Sequence, residues 1–205
     1  NGQRSIIRHP YFVYLDARRV ITIDEEAIEN GAVVWSVSEE KLKRVYEEEM
    51  DGMMKAEKEE EEEGGSADGR SFSLHFIVIG FVASNTDGVP TTLQRDGSDF
   101  SAAIFGRLLR SRRITIWTDV DGVLSADPRR VPQCQIIPDV SYHEAAELAY
   151  FGAKVVHPKT MTPAILASPQ IPIYIRNTFN PTFRGSRIFT HASSTAAAAA
   201  TATIG

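Results

Sequence analysis

The feature that most constrains this chain is an unbroken run of polar loop, amphipathic helix, apolar strand and second polar loop. It covers residues 90–129, PTTLQRDGSDFSAAIFGRLLRSRRITIWTDVDGVLSADPR. Residues 91–97 predict a turn, and Ser98 precedes a helical pattern. One face of that helix would carry Ala102, Phe105, Leu108 and Leu109. Cations at 110–113 suit a helix C-terminus, and residues 114–118 (ITIWT) predict a short buried strand. The run therefore predicts an α/β fold.

Both ends of this helix–strand pair predict binding of small molecules. A helix N-terminus offers free backbone N–H groups and a partial positive charge, and Arg95 adds a planar fork suited to a carboxylate. Ligands of open α/β sheets bind beyond the carboxyl ends of strands. Thr118, Asp119 and the turn at 127–129 are therefore expected to line a second pocket. Two pockets one helix apart indicate two substrates, at least one of them anionic.

Composition excludes several classes of protein. The chain has 205 residues, of which 42% are hydrophobic, enough for a buried core. Its net charge of −5 is concentrated in one acidic tract, so no basic surface predicts a nucleic acid partner. Cys134 is the single cysteine, which excludes an internal disulfide, and no apolar run is long enough for a membrane span. These features predict a soluble intracellular protein and leave the compartment, cytoplasm or plastid, open.

The acidic tract covers residues 47–70, EEEMDGMMKAEKEEEEEGGSADGR. Like charges and glycines leave too little apolar area to offset the ordering entropy, so we predict a disordered insertion, favoured over a metal site of paired carboxylates. A helix before it would have Ser38 as its N-cap and Leu42 and Val45 on one face. The apolar residues 76–82 (FIVIGFV) after it predict a central parallel strand, buried beside the strand at 114–117.

Shorter signals predict the remaining elements. Residues 11–15 and 20–23 are β-rich runs, with Asp16 and Arg18 in a structural turn between them. Ser141 and Glu144 form a capping box that opens a helix, and Gly152 is placed to stop it. Pro158 can begin another helix after His157, for which a capping or buried role is favoured over catalysis. Residues 171–175 and 187–189 predict two final strands.

Three segments carry a resemblance to a known family. TTLQRDGSDFSAA (91–103), IWTDVDGVLSADPR (116–129) and ELAYFGAKVVHP (147–158) resemble aspartate kinase, of the amino acid kinase family. The match extends over residues 76–188 and, more weakly, 12–20. The segment RDGSDFSAA (95–103) is most similar to the kinase part of plant-type bifunctional aspartokinase/homoserine dehydrogenases. The resemblance implies a three-layer α/β sandwich of the amino acid kinase (carbamate kinase-like) type.

The resemblance also implies how the chain is divided. The family's opening KFGGTS-like segment, with a catalytic lysine and phosphate-binding glycines, does not occur in this sequence. We therefore expect residues 1–46 to be a remnant of the first half of the kinase domain and residues 71–189 to be its C-terminal, nucleotide-binding part. Residues 190–205 are a low-complexity tail. A chain missing its N-terminal part is expected to be inactive alone.

The activity implied is transfer of a phosphoryl group from Mg-ATP to the side-chain carboxylate of L-aspartate, giving 4-phospho-L-aspartate. This is the first step towards lysine, threonine, methionine and isoleucine. Carried over by motif, Arg95, Thr92 and Ser98 would bind the aspartate, while Asp99 and Lys154 would be catalytic. The nucleotide would be bound by Thr118, Asp119, Leu124, Arg129 and Lys154. Leu124 stands where the family often has tyrosine. Mg²⁺ would be carried by the nucleotide, and a homodimer is a further expectation.

Three alternatives stay open. The segment DVDGV (119–123) also matches the nucleophile motif of haloacid-dehalogenase phosphatases, although no later Gly-Asp pair supplies their acidic cluster. Uridylate, glutamate and acetylglutamate kinases share the fold but not the combination of RDGSD with ELAYFGAKVVHP. The third alternative is a non-catalytic kinase fragment that binds nucleotide weakly or only pairs with an intact partner.

Overall fold

The computed structural model describes residues 8–24, 33–62, 71–93, 97–151 and 156–190. The chain divides into two compact units, Asn1–Ser98 and Asp99–Gly205. Strands and helices occur in both units, so the predicted mixed α/β class is confirmed.

In the described residues of the first unit there are five strands, a 3-10 turn and one long helix. Its strands are β1 (Arg8–Asp16), β2 (Thr22–Ile23), β3 (Ser71–Ile79), β4 (Val82–Asn85) and β5 (Pro90–Thr92). The 3-10 turn is Ala17–Arg19, and the helix α1 is Trp35–Glu62. β1 and β3 form a parallel pair, and a second sheet has the order β2-β4-β5, with β2 parallel and β5 antiparallel to β4. The turn after β1 is built as predicted, because the Asp16 carboxylate accepts from the Arg18 backbone N–H at 3.0 Å and from Arg18 Nε.

The prediction for residues 76–82 was wrong in two respects. β3 ends at Ile79 and pairs with β1, whereas the strand at 114–118 belongs to a different sheet, so the two strands are not paired side by side in one sheet. β3 is also not buried on both faces, since Ile77 is 55% exposed. An apolar run does not specify its partner strand, and the equally apolar YFVYL segment of β1 pairs with β3 over nine residues.

Helix α1 begins earlier and ends later than predicted. It begins at Trp35, so Ser38 lies inside it rather than at its N-cap. The Ser38 side chain is buried, and its Oγ accepts from the Thr22 backbone N–H at 3.1 Å. Leu42 and Val45 are both buried, which confirms the predicted face. The helix continues to Glu62, so the prediction of irregular structure from residue 47 was wrong for residues 47–62, and residues 63–70 lie outside the described ranges.

The charged residues of α1 favour a helix through their intrinsic helix propensity and through ion pairs, neither of which the prediction from net charge took into account. Glu, Lys, Met and Ala are strong helix formers, and oppositely charged side chains four residues apart stabilise a helix by a few tenths of a kcal/mol each, roughly. Lys43–Glu47 is such a pair at 3.7 Å, and Glu40–Arg44 is another. Farther along, Met53 is only 8% exposed. The acidic part of the helix therefore also carries a buried apolar side chain.

As far as it is described, the second unit is a four-stranded sheet with helices. Its strands are β6 (Ile114–Thr118), β7 (Asp139–Ser141), β8 (Ile173–Asn177) and β9 (Ser186–Phe189), in the order β6-β8-β9-β7. β6 and β8 are parallel, β7 and β9 are parallel, and β8 and β9 are antiparallel. Helices α3 (Tyr142–Tyr150) and α4 (Pro158–Ile165) follow β7, and α2 (Gly97–Leu108) crosses the division between the units. The core of the unit includes Ile116, Val123, Val140, Met161, Ile173 and Ile188.

The local signals at helix ends were mostly right. Ser141 and Glu144 form the predicted capping box, with hydrogen bonds of 3.1 and 2.7 Å. Pro158 begins α4, and His157 caps that helix by accepting from the Lys159 N–H at its Nδ1, 3.1 Å away. The predicted stop at Gly152 lies outside the described residues.

Helix α2 differs from the prediction in its start and its buried face. It begins at Gly97, so Ser98 is in its first turn rather than before it. Ala102 and Leu109 are exposed. The buried face carries Phe100, Ala103, Ile104 and Phe105. Phe100 and Ile104 bring more apolar area than Ala102, and a helix buries the stripe with the larger area.

Candidate functional site

The carboxyl ends of β6 and β8 bring predicted site residues to one edge of the second unit's sheet. The two strands are parallel and pair Thr118 with Asn177 at their last positions. The Thr178 backbone N–H donates to the Thr118 carbonyl at 2.9 Å, which continues the pairing past the strands. Thr118 Oγ1 donates to Asp119 Oδ1 at 3.2 Å, and the Asp119 side chain is exposed. A hydroxyl and a carboxylate therefore stand together where an α/β sheet binds its ligands.

The loop after β6 is tied to the loop after β8 by side-chain amides. Asp121 Oδ1 accepts from Asn177 Nδ2 at 2.9 Å and from Asn180 Nδ2 at 3.2 Å. Asn177 Oδ1 in turn accepts from the Phe179 backbone N–H at 2.8 Å. The sequence reasoning did not include Asn177 and Asn180 in the site. The signal that could have found Asn177 is its place two positions after the apolar run IPIYI, at the end of a predicted strand, as Thr118 is at the end of another.

Gly122 fixes the path of the chain from this edge into the core. It has a φ of +152°, and a Cβ added there would lie 2.4 Å from Ser186 Oγ. That hydroxyl accepts from the Val123 backbone N–H at 2.8 Å and donates to the Ile137 carbonyl at 2.6 Å. Because the backbone passes this close to β9, only glycine fits without a shift.

Leu124 and Arg129 lie in one loop, residues 124–136. Backbone pairing joins the two ends of this loop, and its outer turn is exposed to solvent. Leu124 forms an antiparallel bridge with Ile136, and the Ser125 N–H donates to the Gln135 carbonyl at 2.8 Å. At the outer turn, Asp127 Oδ1 accepts from the Arg129 backbone N–H at 2.9 Å. The Arg129 side chain is exposed. The loop therefore holds the Arg129 backbone in place while its guanidinium faces solvent.

The predicted substrate-binding residues Thr92 and Ser98 lie in the first unit. Thr92 is the last residue of β5 and Ser98 lies in the first turn of α2, and both side chains are exposed. Asp99 lies in that same turn, is partly buried and is the first residue of the second unit. Its carboxylate complements the partial positive charge of the helix N-terminus. Arg95 and Lys154 lie outside the described residues.

Phe81, which the sequence reasoning did not select, shapes the start of α2. It has a φ of +76°, uncommon for a bulky residue, and its carbonyl accepts from the Leu93 N–H at 2.8 Å. A Cβ added to Gly97 would lie 2.3 Å from the Phe81 ring. Backbone strain of this kind clusters at functional sites. Leu93 and Gly97, the described residues on either side of positions 94–96, are thus both in contact with Phe81.

Within the described ranges, no group of three or more His, Cys, Asp or Glu side chains could hold a metal ion. No helix described here has both the length and the apolar character needed to cross a bilayer.

Comparison with known proteins defines the class of this protein. A family model described as the amino acid kinase family matches residues 75–177, about half of the chain. The chain therefore belongs to the amino acid kinase family. This confirms the family resemblance and the amino acid kinase type of the α/β fold.

Within the family, aspartate kinases are among the most similar proteins. The bifunctional aspartokinase/homoserine dehydrogenase 2, chloroplastic, of Arabidopsis thaliana is 57% identical over 121 residues, covering 57% of this chain and 13% of the relative. The corresponding protein 1 of Zea mays is 55% identical over 112 residues, covering 55% and 12%. The crystal structure of E. coli aspartokinase III in complex with aspartate and ADP has a TM-score of 0.65 at 28% identity, covering 89% of this chain and 35% of that chain. This chain spans about an eighth of the plant relatives' length and about a third of the bacterial chain's.

Proposed function

We propose that this chain is part of an aspartate kinase, which transfers the γ-phosphoryl group of ATP to the side-chain carboxylate of L-aspartate. The observation that carries the proposal is the edge formed by Thr118 and Asp119 at the ends of β6 and β8. The similarity to E. coli aspartokinase III, whose structure holds aspartate and ADP, supports the same substrates here. The substrate assignment also rests on the RDGSD and GAKVVHP motifs.

The second unit would bind the nucleotide. Thr118 and Asp119 offer acceptor oxygens to the hydroxyl and amino groups of a nucleoside, and Leu124 offers an apolar surface. Arg129 would contact the phosphates, because its guanidinium can donate charge-assisted hydrogen bonds to phosphate oxygens. Its backbone is held in the turn by the Asp127 carboxylate. Lys154, assigned by motif alone, would be the second phosphate-binding cation.

The first unit and the start of α2 would bind the aspartate. Arg95 would take the α-carboxylate with both arms of its guanidinium, and the exposed hydroxyls of Thr92 and Ser98 would complete the contacts. Asp99, in the first turn of α2, would orient the cationic groups around the phosphoryl group in transit.

In the reaction, a side-chain carboxylate oxygen of aspartate attacks the γ-phosphorus of ATP. A P–O bond forms there, the bond from the γ-phosphorus to the β,γ-bridging oxygen breaks, and ADP leaves with that electron pair. Such transfer requires mainly positioning and neutralisation of charge. Mg²⁺ would be carried by the bound nucleotide, where it would neutralise phosphate charge, and we place no step on it. The product, 4-phospho-L-aspartate, places the enzyme in amino-acid biosynthesis, and the chloroplastic relatives support a plastid location.

The test is aspartyl hydroxamate formation by a longer protein that joins this chain to the N-terminal part of an aspartate kinase domain. Arg95→Lys keeps the charge but loses the fork, so kcat/KM for aspartate should fall by about a hundredfold, about 2.7 kcal/mol, with ATP binding nearly unchanged. Asp99→Asn should act mainly on kcat. Glutamate and acetylglutamate serve as competing acceptors. Preference for either of them, or normal turnover of aspartate by Arg95→Lys, would show that the substrate assignment is wrong.

A further inference from the structure

The first unit contains a cleft of about 440 Å³ that shares no residue with the proposed catalytic site. Four cationic side chains line it, against a single carboxylate, that of Glu48. The cations are Arg18, Arg19, Lys41 and Arg44. In a chain with a net charge of −5, such a local excess of positive charge attracts anions.

Lys41 is the cation at the inner side of this cleft. Its ammonium group donates to Thr22 Oγ1 at 2.7 Å and to Ser84 Oγ at 3.4 Å, and both of these residues are almost fully buried. Ser84 Oγ itself donates to the Arg18 carbonyl at 3.1 Å, so it meets Lys41 as an acceptor. Within the described ranges, no carboxylate lies within ion-pair distance of Lys41. An ammonium group has three N–H donors. The two hydroxyls use two of them and hold Lys41 in place, so its positive charge and its third donor remain available to a ligand.

The three arginines differ from Lys41, because each already has a carboxylate partner. Arg19 pairs with Glu48 at 2.9 Å, Arg44 with Glu40, and Arg18 with Asp16. The side chains of Arg19 and Arg44 are 49% and 67% exposed. Exposed ion pairs contribute only about 0–1 kcal/mol, so both arginines can turn towards a bound anion at little cost.

We propose that this cleft binds a compact phosphate-bearing anion, with Lys41 as the central contact and Arg19 and Arg44 as outer contacts. A phosphate group suits the cleft better than a carboxylate does. Its oxygens point in several directions and can accept from cations on two different elements. The ligand is either free phosphate or the phosphate group of a small metabolite. The inference does not depend on the proposed kinase activity.

The test is an NMR titration of the full chain with sodium phosphate at pH 8, with sodium chloride adjusted to keep the ionic strength constant. The backbone amides of Ser84 and Gly88, which line the cleft, report binding there. We expect saturable shifts of both signals. A parallel titration with O-phospho-L-serine distinguishes free phosphate from a phosphorylated metabolite by which one binds more tightly.

Two lysines on the same helix provide a matched pair of variants. Lys41→Gln removes a charge-assisted contact and should weaken binding by about tenfold or more. Lys43→Gln makes the same change at a side chain that is 75% exposed and pairs with Glu47, so its affinity should equal the wild-type value. If Lys41→Gln does not fold, Arg44→Gln should still weaken binding by about threefold, in line with a partly screened outer contact.

Three outcomes would overturn the proposal. One is the absence of saturable shifts at Ser84 and Gly88 in the wild-type chain. Another is equal affinity for phosphate in the folded Lys41→Gln and Lys43→Gln variants. The third is a set of shifts confined to Thr118 and Asp119, which would place the anion at the proposed nucleotide site instead.

Discussion

Arg129 is the described residue on which the proposed nucleotide site can be tested most directly. Its backbone is held by Asp127 and its guanidinium is exposed, so its replacement should not disturb the fold. Arg129→Gln should weaken binding of Mg-ATP by about tenfold or more, because a charge-assisted hydrogen bond to phosphate is lost. Arg130→Gln, the same change at the next and also exposed position, is the control. Isothermal titration showing equal ATP affinity for both variants would remove Arg129 from the site.

Tyr142 links the stability of the second unit to alkaline pH. Its hydroxyl donates to the Ile171 carbonyl, and burial raises its pKa to about 12, above the ordinary value of 10.0. The phenol thus ionises more readily in the unfolded chain than in the folded one. Its contribution to stability is complete below pH 10 and is lost as the pH rises from 10 to about 12.

Tyr142→Phe isolates this contribution. At pH 7 the variant should be less stable by about 1 kcal/mol, since the Ile171 carbonyl loses its hydrogen bond. Between pH 10 and 12 it should lose less stability than the wild type does. Urea unfolding at pH 7, 9 and 11 measures both effects. Tyr150→Phe, at a side chain 85% exposed, is the control, and a similar pH curve for both variants would contradict the role given to burial.

At the scale of elements, α1 gives a prediction about the acidic tract. Met53 is 8% exposed and Met54 is 47% exposed, so two neighbouring methionines differ mainly in burial. Met53→Ala should lower the free energy of local opening in residues 47–62 by about 2 kcal/mol, a loss of amide protection of about thirtyfold. Met54→Ala should change protection little. Hydrogen exchange measured by mass spectrometry tests this, and an unprotected tract in the wild-type chain would show that α1 ends before it.

Elements with local signals could be predicted from the sequence, whereas those that depend on distant residues could not. The capping box at Ser141 and the start of α4 at Pro158 depend on neighbours within four residues. The place of Ser38 inside α1 instead depends on Thr22, sixteen positions away. The pairing of β3 with β1 likewise joins segments that the sequence does not link. Charge density alone also gave a wrong prediction for residues 47–62, because the apolar Met53, which is buried, was not weighed against the many glutamates.

At the scale of the whole molecule, motif resemblance predicted the family and placed Thr118 and Asp119 at a strand end. It did not reveal the hydrogen bonds that Asp121 accepts from Asn177 and Asn180, which join loops more than fifty residues apart. Those hydrogen bonds also concern the alternative of a haloacid-dehalogenase phosphatase. Asp121 is the second aspartate of the DVDGV motif, and one of its carboxylate oxygens serves as a structural acceptor. Pairwise contacts over such distances follow from the folded backbone and leave no periodic signal in the sequence.

The strand order β6-β8-β9-β7 has a consequence for the synthesis of the chain. The two strands made last, β8 and β9, occupy the middle of the sheet, while β6 and β7 emerge from the ribosome earlier and form its edges. β6 and β7 do not pair with each other. β6 meets its described partner β8 only after residue 173 has been made, and β7 meets its described partner β9 only after residue 186 has been made. Until then both strands carry unpaired backbone and apolar side chains, the kind of surface that chaperones bind and that promotes aggregation. A ribosome that pauses between residues 141 and 173 would therefore hold this unit in its most vulnerable state.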